Sequence, residues 1–431
     1  MKAVIIGNHA AGLSAAEALR RGDASCSITV ISNENTPPYS RCLIPYIVSG
    51  EKRVEDILFK PASFYEDNDI DAMLGVEAVR ILRKEKRVLM ADGSKVAYDV
   101  LIIATGGSPS LPRISGAKAE GVFGFRTLCD AGRISAFSGQ VETAVVLGGG
   151  LVGLKAALAL HELGKRVKVL MASSHVLSQI AGATEAVIFE EHLSALGIDI
   201  ISGTDAAQIL GEEKVRAVET TDGKVIDCQL VVVGKGVSAN KTIVKDTDIK
   251  TEYGILVDDH CRTNVRDVYA AGDVAQSPDS VRGIAWMNAL WPHAVEAGRV
   301  AAENALGKES VLGDRTAMNA LVLAGLPLVT YGLTGAREQV EGGEEIVRKG
   351  PDKAVSRRLI FKDDRLMGFC LVGNVENAGV LGALVKKQVN VSKIKDQLVF
   401  GEYDFASVLA VIRDEPEKFR EPAYQEVLSF F

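Results

Sequence analysis

Residues 3–22 read AVIIGNHAAGLSAAEALRRG, and residues 144–164 read AVVLGGGLVGLKAALALHELG. Each begins with a short apolar run, turns at a glycine, and continues into a stretch rich in Ala and Leu with helical spacing. This is the context in which backbone N–H groups and a helix dipole hold a pyrophosphate. One such fingerprint is a weak signal. Two in one chain predict two dinucleotide sites, and the default chemistry of two dinucleotides is passing electrons from one to the other.

The duplication extends beyond the loops. Residues 86–99 (KRVLMADGSKVAYD) and 215–228 (VRAVETTDGKVIDC) each set two short alternating runs around Asp-Gly, a hairpin signal. Each hairpin leads into an apolar run that ends in glycine, DVLIIATGG from Asp99 and DCQLVVVGKG from Asp227. The expected fold class is α/β, with two Rossmann-like three-layer nucleotide-binding domains: a parallel sheet, helices, and a small antiparallel layer. A third section, GILVDDHCRTNVRDVYAAGDVAQ from Gly254, has no counterpart inside the second repeat. Beyond residue 312 no nucleotide signature remains; MNALVLAGLPLVTYGLTG (318–335) alternates like strands and NAGVLGALVKK like a helix, so a C-terminal α+β domain is expected.

A chain of 431 residues exceeds what one core usually serves, and 47% hydrophobic with 24% charged residues is an ordinary globular balance. The net charge of −7 argues against nucleic acid as a partner and against a polybasic membrane patch. No run approaches the roughly 18 apolar residues of a membrane span. The opening MKAVIIGN is too short for a signal peptide, so a cytoplasmic location is expected. The six cysteines (Cys26, Cys42, Cys129, Cys228, Cys261 and Cys370) contain no C-x-x-C, and the six histidines show no ligand spacing, so neither a disulfide framework nor a bound metal is expected.

In the first loop, Gly7 and Gly12 bracket His9, which stands where the second glycine usually does, and Ala11. An acid about 20 residues beyond the last glycine is expected on ribose hydroxyls. Ser32 has that spacing, and Glu34, two places on, is the ribose candidate. The second loop is a full G-x-G-x-x-G: Gly148, Gly150, Val152 and Gly153. After its next strand, Met171 stands where an acid would mark NAD, with no Arg or Lys there to mark a 2′-phosphate. The choice between NADH and NADPH stays open.

The stretch TNVRDVYAAGDVA resembles the second FAD motif of the FAD-dependent pyridine nucleotide-disulfide oxidoreductases, through Thr263, Val268 to Ala270, Gly272 and Asp273. Ala104-Thr105-Gly106 and Gly234-Lys235-Gly236 resemble that family's two crossover motifs, and the resemblance runs in order over residues 1–310. It implies a glutathione-reductase-like fold with FAD on the first repeat and NAD(P)H on the second. The implied domains are 1–110 and 255–311 for FAD, 111–254 for NAD(P)H, and a C-terminal interface domain, 312–431. In the family the aspartate matched by Asp273 accepts a hydrogen bond from the ribityl chain.

The branch turns on PPYSRCLIPYIVSGE, residues 37–51. A single cysteine, Cys42, excludes the dithiol reductase mechanism, while Cys42 with Gly50 resembles the CoA-disulfide reductase and NADH oxidase branch. Pro-Tyr-Ser-Arg-x-Leu, and Leu290-Trp291-Pro292-His293 with Gly298, resemble the rubredoxin reductase and nitrite reductase flavoprotein branch. LIPYIVSG is also similar to the flavoprotein subunit of phenylglyoxylate dehydrogenase complexes. The resemblance implies Arg41 near the flavin, where its charge would stabilise an anionic reduced form, and Trp291 beside the cofactor; Trp286 and Tyr46 line the flavin or fill the core. Lys155 replaces a glutamate expected near the nicotinamide.

Three functions follow. One is FAD-dependent electron transfer between NAD(P)H and a redox protein or multisubunit partner. A second uses Cys42 as a relay to a small disulfide, peroxide or oxygen. A third is an electron-transfer subunit or redox sensor with a weakened nicotinamide site. A homo-oligomer is expected if the chain acts alone.

Overall fold

The computed structural model describes residues 1–313, 316–334 and 341–420. Within these the chain forms two compact units, and the ends of the 312–431 segment and of the 318–335 stretch partly lie outside the described residues.

The first unit gathers Met1–Pro112, Phe123–Gln140 and the described residues from Lys235 to 313. Its sheet is parallel throughout, in the order Val268–Ala270, Val100–Ile103, Lys2–Ile6, Ser27–Ser32, Ile70–Leu74. The central strands are apolar without alternation because both faces are covered. Ala3, Ile5, Val100 and Ile102 enter one core with Leu13 and Leu19 of helix Ala10–Gly22 and Val300 of helix Trp291–Ala305. Val4, Ile6, Leu101 and Ile103 enter another with Ile81, Val88 and Met90 of the antiparallel strands Ala78–Leu82, Arg87–Met90 and Lys95–Ala97. The expected hairpin at Asp92-Gly93 is present, with Gly93 at φ +87° and Asp92 Oδ1 accepting from Ser94 N. The section after Gly254 supplies Val268–Ala270, the sheet's edge strand beside Val100–Ile103.

The second unit repeats the plan. Asp199–Ile201, Arg166–Leu170, Thr143–Leu147 and Leu230–Val233 form neighbouring parallel strands, with helices Leu151–Glu162 and Ala183–Ala195. The antiparallel layer is Ala206–Leu210, Ala217–Thr220 and Val225–Asp227, covering Val145, Leu147, Val231 and Val233. The same unit holds a five-stranded antiparallel sheet, Met318–Leu323, Leu326–Gly332, Arg365–Val372, Ser356–Lys362 and Glu344–Lys349, followed by helix Ala378–Lys387.

The motif-based boundaries divide the chain differently from these units. Residues 123–140 and 235–254 belong to the first unit because Leu128 N donates to the Tyr39 hydroxyl and Val237–Ala239 pairs with Gly107–Pro109. The described residues from Thr316 onward pack in the second unit, where Arg358 reaches Glu185 across a fully buried contact. Such contacts join segments far apart in sequence, which local motifs do not report.

Candidate dinucleotide sites

Gly7 leaves its strand at φ +132°, its N–H donating to Ile31 O. A Cβ on Gly7 would lie 2.0 Å from the Ala104 carbonyl oxygen, and one on Gly12 would lie 1.9 Å from the Gly7 carbonyl oxygen. The tight turn therefore requires both glycines by its own packing. Helix Ala10–Gly22 starts at His9, whose side chain makes no capping bond, so the first-turn N–H groups keep their donors for another acceptor.

The His9 ring turns to Arg41 instead. Arg41 Nη2 stands 2.7 Å from His9 Nε2, and because a guanidinium only donates, Nε2 accepts and Nδ1 carries the proton. Nδ1 is buried and finds no partner of ordinary geometry. Burial lowers the His9 pKa, and the Arg41 charge pushes the same way, so the ring is neutral at pH 7.

Glu34, two residues past strand Ser27–Ser32, accepts from Arg41 and from the Tyr39 hydroxyl, the latter at 2.5 Å. Burial alone would raise its pKa, but the Arg41 charge and the Tyr39 hydroxyl reverse this and hold it at about 2. Tyr39 is fully buried, edge-on to His9 with ring centroids 4.9 Å apart, and its oxygen also accepts from Leu128 N at 3.2 Å. Arg41 Nη1 donates to the Arg126 carbonyl at 3.2 Å, and the Arg126 guanidinium pairs with Asp273 at 2.7 Å. Arg126 Nε is a second buried donor without a partner.

His9, Glu34, Arg41, Arg126 and Asp273 thus meet in one network, with Ala11 near its Asp273 end: a Cβ on Gly272, at φ +75°, would stand 3.0 Å from the Ala11 Cβ. Thr105 Oγ1 donates to Asn240 O at 2.8 Å, Asn240 Nδ2 returns to Thr105 O at 2.9 Å, and Gly106 takes φ +65° in that turn, just after Ala104. Thr263 Oγ1 donates to Val268 O and so shapes the loop feeding the edge strand. Two orphaned buried donors and an uncapped helix turn leave hydrogen-bond donors of the kind an anion such as the pyrophosphate of FAD requires.

Other expected residues lie in different surroundings. Trp291 opens helix Trp291–Ala305 and packs edge-on against Phe59 at 4.8 Å. Trp286 does not fill the core: it is exposed, with the Arg282 guanidinium over its ring, because its strand Ala285–Trp286 is a two-residue edge. Cys42, in the turn Arg41–Leu43, has an exposed surface, yet crowding by protein atoms and then the Asp273 charge push its thiol pKa up. Among the described residues no cluster of His, Cys, Asp or Glu is arranged to hold a metal ion, and no helix is long and apolar enough to cross a membrane.

The second loop uses the same backbone device. Gly148 has φ +116°, a Cβ on Gly153 would lie 1.9 Å from the Gly148 carbonyl oxygen, and one on Gly234 would lie 2.6 Å from Gly153 Cα. Gly150 is the N-cap, and a Cβ there would meet nothing within 4 Å, so packing does not require glycine at this position. Val152 follows in the first turn and is itself exposed. Met171 is buried, with Sδ only 2.2 Å from where a Gly149 Cβ would stand, so it packs the loop from within. Lys155 Nζ donates to Val322 O at 2.8 Å.

Tyr39, Arg126 and Asn240 escaped the sequence reading as functional candidates. Thr127-x-x-Asp130 is a readable helix start, and both capping bonds form, but nothing local to it announces that Arg126 reaches Asp273.

Comparisons with known proteins agree with this fold. The chain is 28% identical over 399 residues to an assimilatory nitrate reductase electron transfer subunit of Bacillus subtilis, matching 92% of this chain and 50% of that protein, so it spans about half that relative's length. It is 29% identical over 422 residues to the epsilon subunit of an NADH-dependent phenylglyoxylate dehydrogenase from Aromatoleum evansii, covering 96% of both. Its fold matches that of a NAD-dependent persulfide reductase from A. fulgidus with a TM-score of 0.84 at 28% identity, over 92% of this chain and 79% of that one. The pyridine nucleotide-disulphide oxidoreductase family model matches residues 1–298. With two glycine loops on two Rossmann-like sheets and a family match over more than half its length, the chain belongs to the pyridine nucleotide-disulphide oxidoreductases, flavoprotein enzymes that bind FAD and NAD(P)H.

Proposed function

We propose that the chain moves electrons between NAD(P)H and a redox protein or partner subunit, using FAD held by residues 1–110 and 255–311 with Arg126 added from the segment 123–140, a nicotinamide nucleotide held by the rest of 111–254, and 312–431 as an interface domain. The observation that carries this reading is the network joining the first glycine loop to Glu34, Arg41 and Asp273, while a complete second loop stands in the other unit. When bound, FAD supplies the chemistry, exchanging a hydride with NAD(P)H and electrons with the partner.

The protein's residues do the holding. The uncapped turn after His9, the His9 Nδ1–H and Arg126 Nε–H serve the pyrophosphate; Glu34, kept ionised, serves the ribose; Asp273, oriented by Arg126, serves the ribityl chain. Arg41 spends its donors on Glu34, His9 and the Arg126 carbonyl, which supports binding of the cofactor's phosphate side over charge stabilisation at the flavin ring. The relatives named as subunits support a protein partner, and a homo-oligomer is the form proposed for the chain acting alone.

The exposed Cys42 favours a second reading, a thiol relay. A relay needs a thiolate, and the surroundings of Cys42 raise its pKa, so direct transfer is preferred. Anaerobic titration with NADH and NADPH tests both. Direct transfer predicts uptake of two electrons per flavin, no thiolate-to-flavin charge-transfer band, and the same result in Cys42→Ser. Four electrons falling to two in Cys42→Ser would establish the relay. Failure to bind either nucleotide would leave the electron-transfer subunit with a weakened second site.

A further inference from the structure

Glu185 is fully buried on helix Ala183–Ala195, within the second nucleotide-binding fold. Its carboxylate accepts from Arg358 Nε at 2.8 Å, Arg358 Nη2 at 2.7 Å, Ser356 Oγ at 2.7 Å and Gly182 N at 3.2 Å. Ser356 and Arg358 lie on strand Ser356–Lys362 of the C-terminal sheet, more than 170 residues away. Gly182 is there to admit this arginine, since a Cβ on it would fall 2.0 Å from Arg358 Nη2. Arg358 also pairs with Glu345, so the guanidinium is held from both sides.

The pair closes the segment 171–182, which leaves the C-terminal end of strand Arg166–Leu170, the end at which ligands bind in parallel α/β sheets. The middle of that segment is tied to the glycine loop: Leu177 N donates to Gly149 O at 2.8 Å, with the buried Leu177 in the left-handed region at φ +55°. The far end is tied to the C-terminal sheet by the Glu185–Arg358 pair and by Thr334 Oγ1 to Gln179 O at 3.5 Å. The Lys155 bond to Val322 adds a tie from the loop's own helix to the same sheet. An unstrained surface loop would need no such bracing. A non-glycine residue held at positive φ persists where its surroundings over-determine it.

We propose that Arg358 and Glu185 are positioning residues for the nicotinamide nucleotide, fixing segment 171–182 against the second glycine loop, so that the C-terminal sheet is a working part of the coenzyme site. This rests on the reading of the second loop as a dinucleotide site. Because loss of one partner strands a buried charge, and replacement of both by neutral groups is tolerated better, the test uses Arg358→Met and the double variant Glu185→Gln/Arg358→Met. Arg357→Met is the control, since Arg357 points to Leu398 O and Tyr403 within the C-terminal segment.

Nucleotide affinity is read by fluorescence titration with NADH and with NADPH, FAD content by absorbance, and loop order by amide hydrogen exchange over 171–182. The expected result is nucleotide binding weakened about tenfold or more, faster exchange over 171–182, and unchanged FAD content, in the single variant or, if that does not fold, in the double one, with Arg357→Met at wild-type values. Wild-type affinity and exchange in a folded Arg358 variant would overturn the inference while leaving the site reading intact. Equal loss of FAD and nucleotide would reduce the pair to a general stabilising contact. A wild-type chain that binds neither nucleotide would instead overturn the reading of the second loop.

Discussion

The two glycine loops close on themselves in the same way and differ in what surrounds them. In both, the last glycine faces the first glycine's carbonyl, 1.9 Å from where its Cβ would stand. The first loop carries His9 where the second carries Gly150, and its neighbouring strand leads to the ionised Glu34, whereas the second's ends in the buried Met171. A glycine turn is thus a backbone requirement common to both sites, and the side chains at two positions make one site a charged, internally bonded cradle and the other an open, neutral one.

The largest effect is expected from filling the turns. Gly12→Ala forces a Cβ into the Gly7 carbonyl and should cost about 3 kcal/mol, with purified protein losing its flavin. Gly153→Ala meets the same obstacle in the second unit and should retain flavin while losing nucleotide binding. Absorbance per chain and thermal unfolding distinguish the two, and flavin loss in both variants would break the assignment of one nucleotide to each loop.

Removing the charge from the first cradle comes next. Glu34→Gln leaves Arg41 half-buried without its counter-ion and should cost about 2 kcal/mol and weaken FAD binding. The sign of its pH dependence follows from its depressed pKa. The carboxylate's contribution is complete above the ordinary value of 4.5 and is lost as pH falls toward about 2. Wild-type stability should therefore fall across that window through this group, and the variant's should fall less. Urea midpoints at several pH values measure it, and parallel acid limbs would show that the cluster does not hold Glu34 ionised.

A smaller effect is expected from His9→Gly, which makes the first loop resemble the second. It removes the acceptor for Arg41 and the orphaned Nδ1–H, so stability should drop by about 1 kcal/mol. FAD affinity should fall with it, and an unchanged affinity would show that the imidazole does not serve the cofactor. The smallest effect on the protein itself is expected from Gly150→Ala. Nothing lies within 4 Å of the new methyl, so the unfolding temperature should stay within about 1 °C. Nucleotide affinity alone should fall, and a stable variant with unaltered affinity would mean that no ligand approaches that backbone.

Much of this is legible in the sequence itself. The apolar runs VIIG and VVLG announce buried parallel strands because both faces of such strands are covered, and Asp92-Gly93 and Asp222-Gly223 mark turns that only a few residue types favour. Glu34 was a ribose candidate from its distance to the last glycine of the first loop, two places past Ser32. Tyr39 was visible within PYSR but not its role, since its hydroxyl meets Glu34 and Leu128 N only after residues 34 and 128 fold together. Arg126 and Asn240 were silent for the same reason. Met171 was legible as a missing acid, but not as the residue that packs beneath Gly149.

The sequence by itself determined the duplicated architecture and the positions of both glycine turns, because those depend on local backbone freedom and on short-range apolar periodicity. Only the tertiary structure decided which distant side chains share a cradle, where the compact units divide, and that Arg358 reaches Glu185. Those outcomes depend on satisfying buried charges and donors between segments more than a hundred residues apart, a condition written in no local pattern.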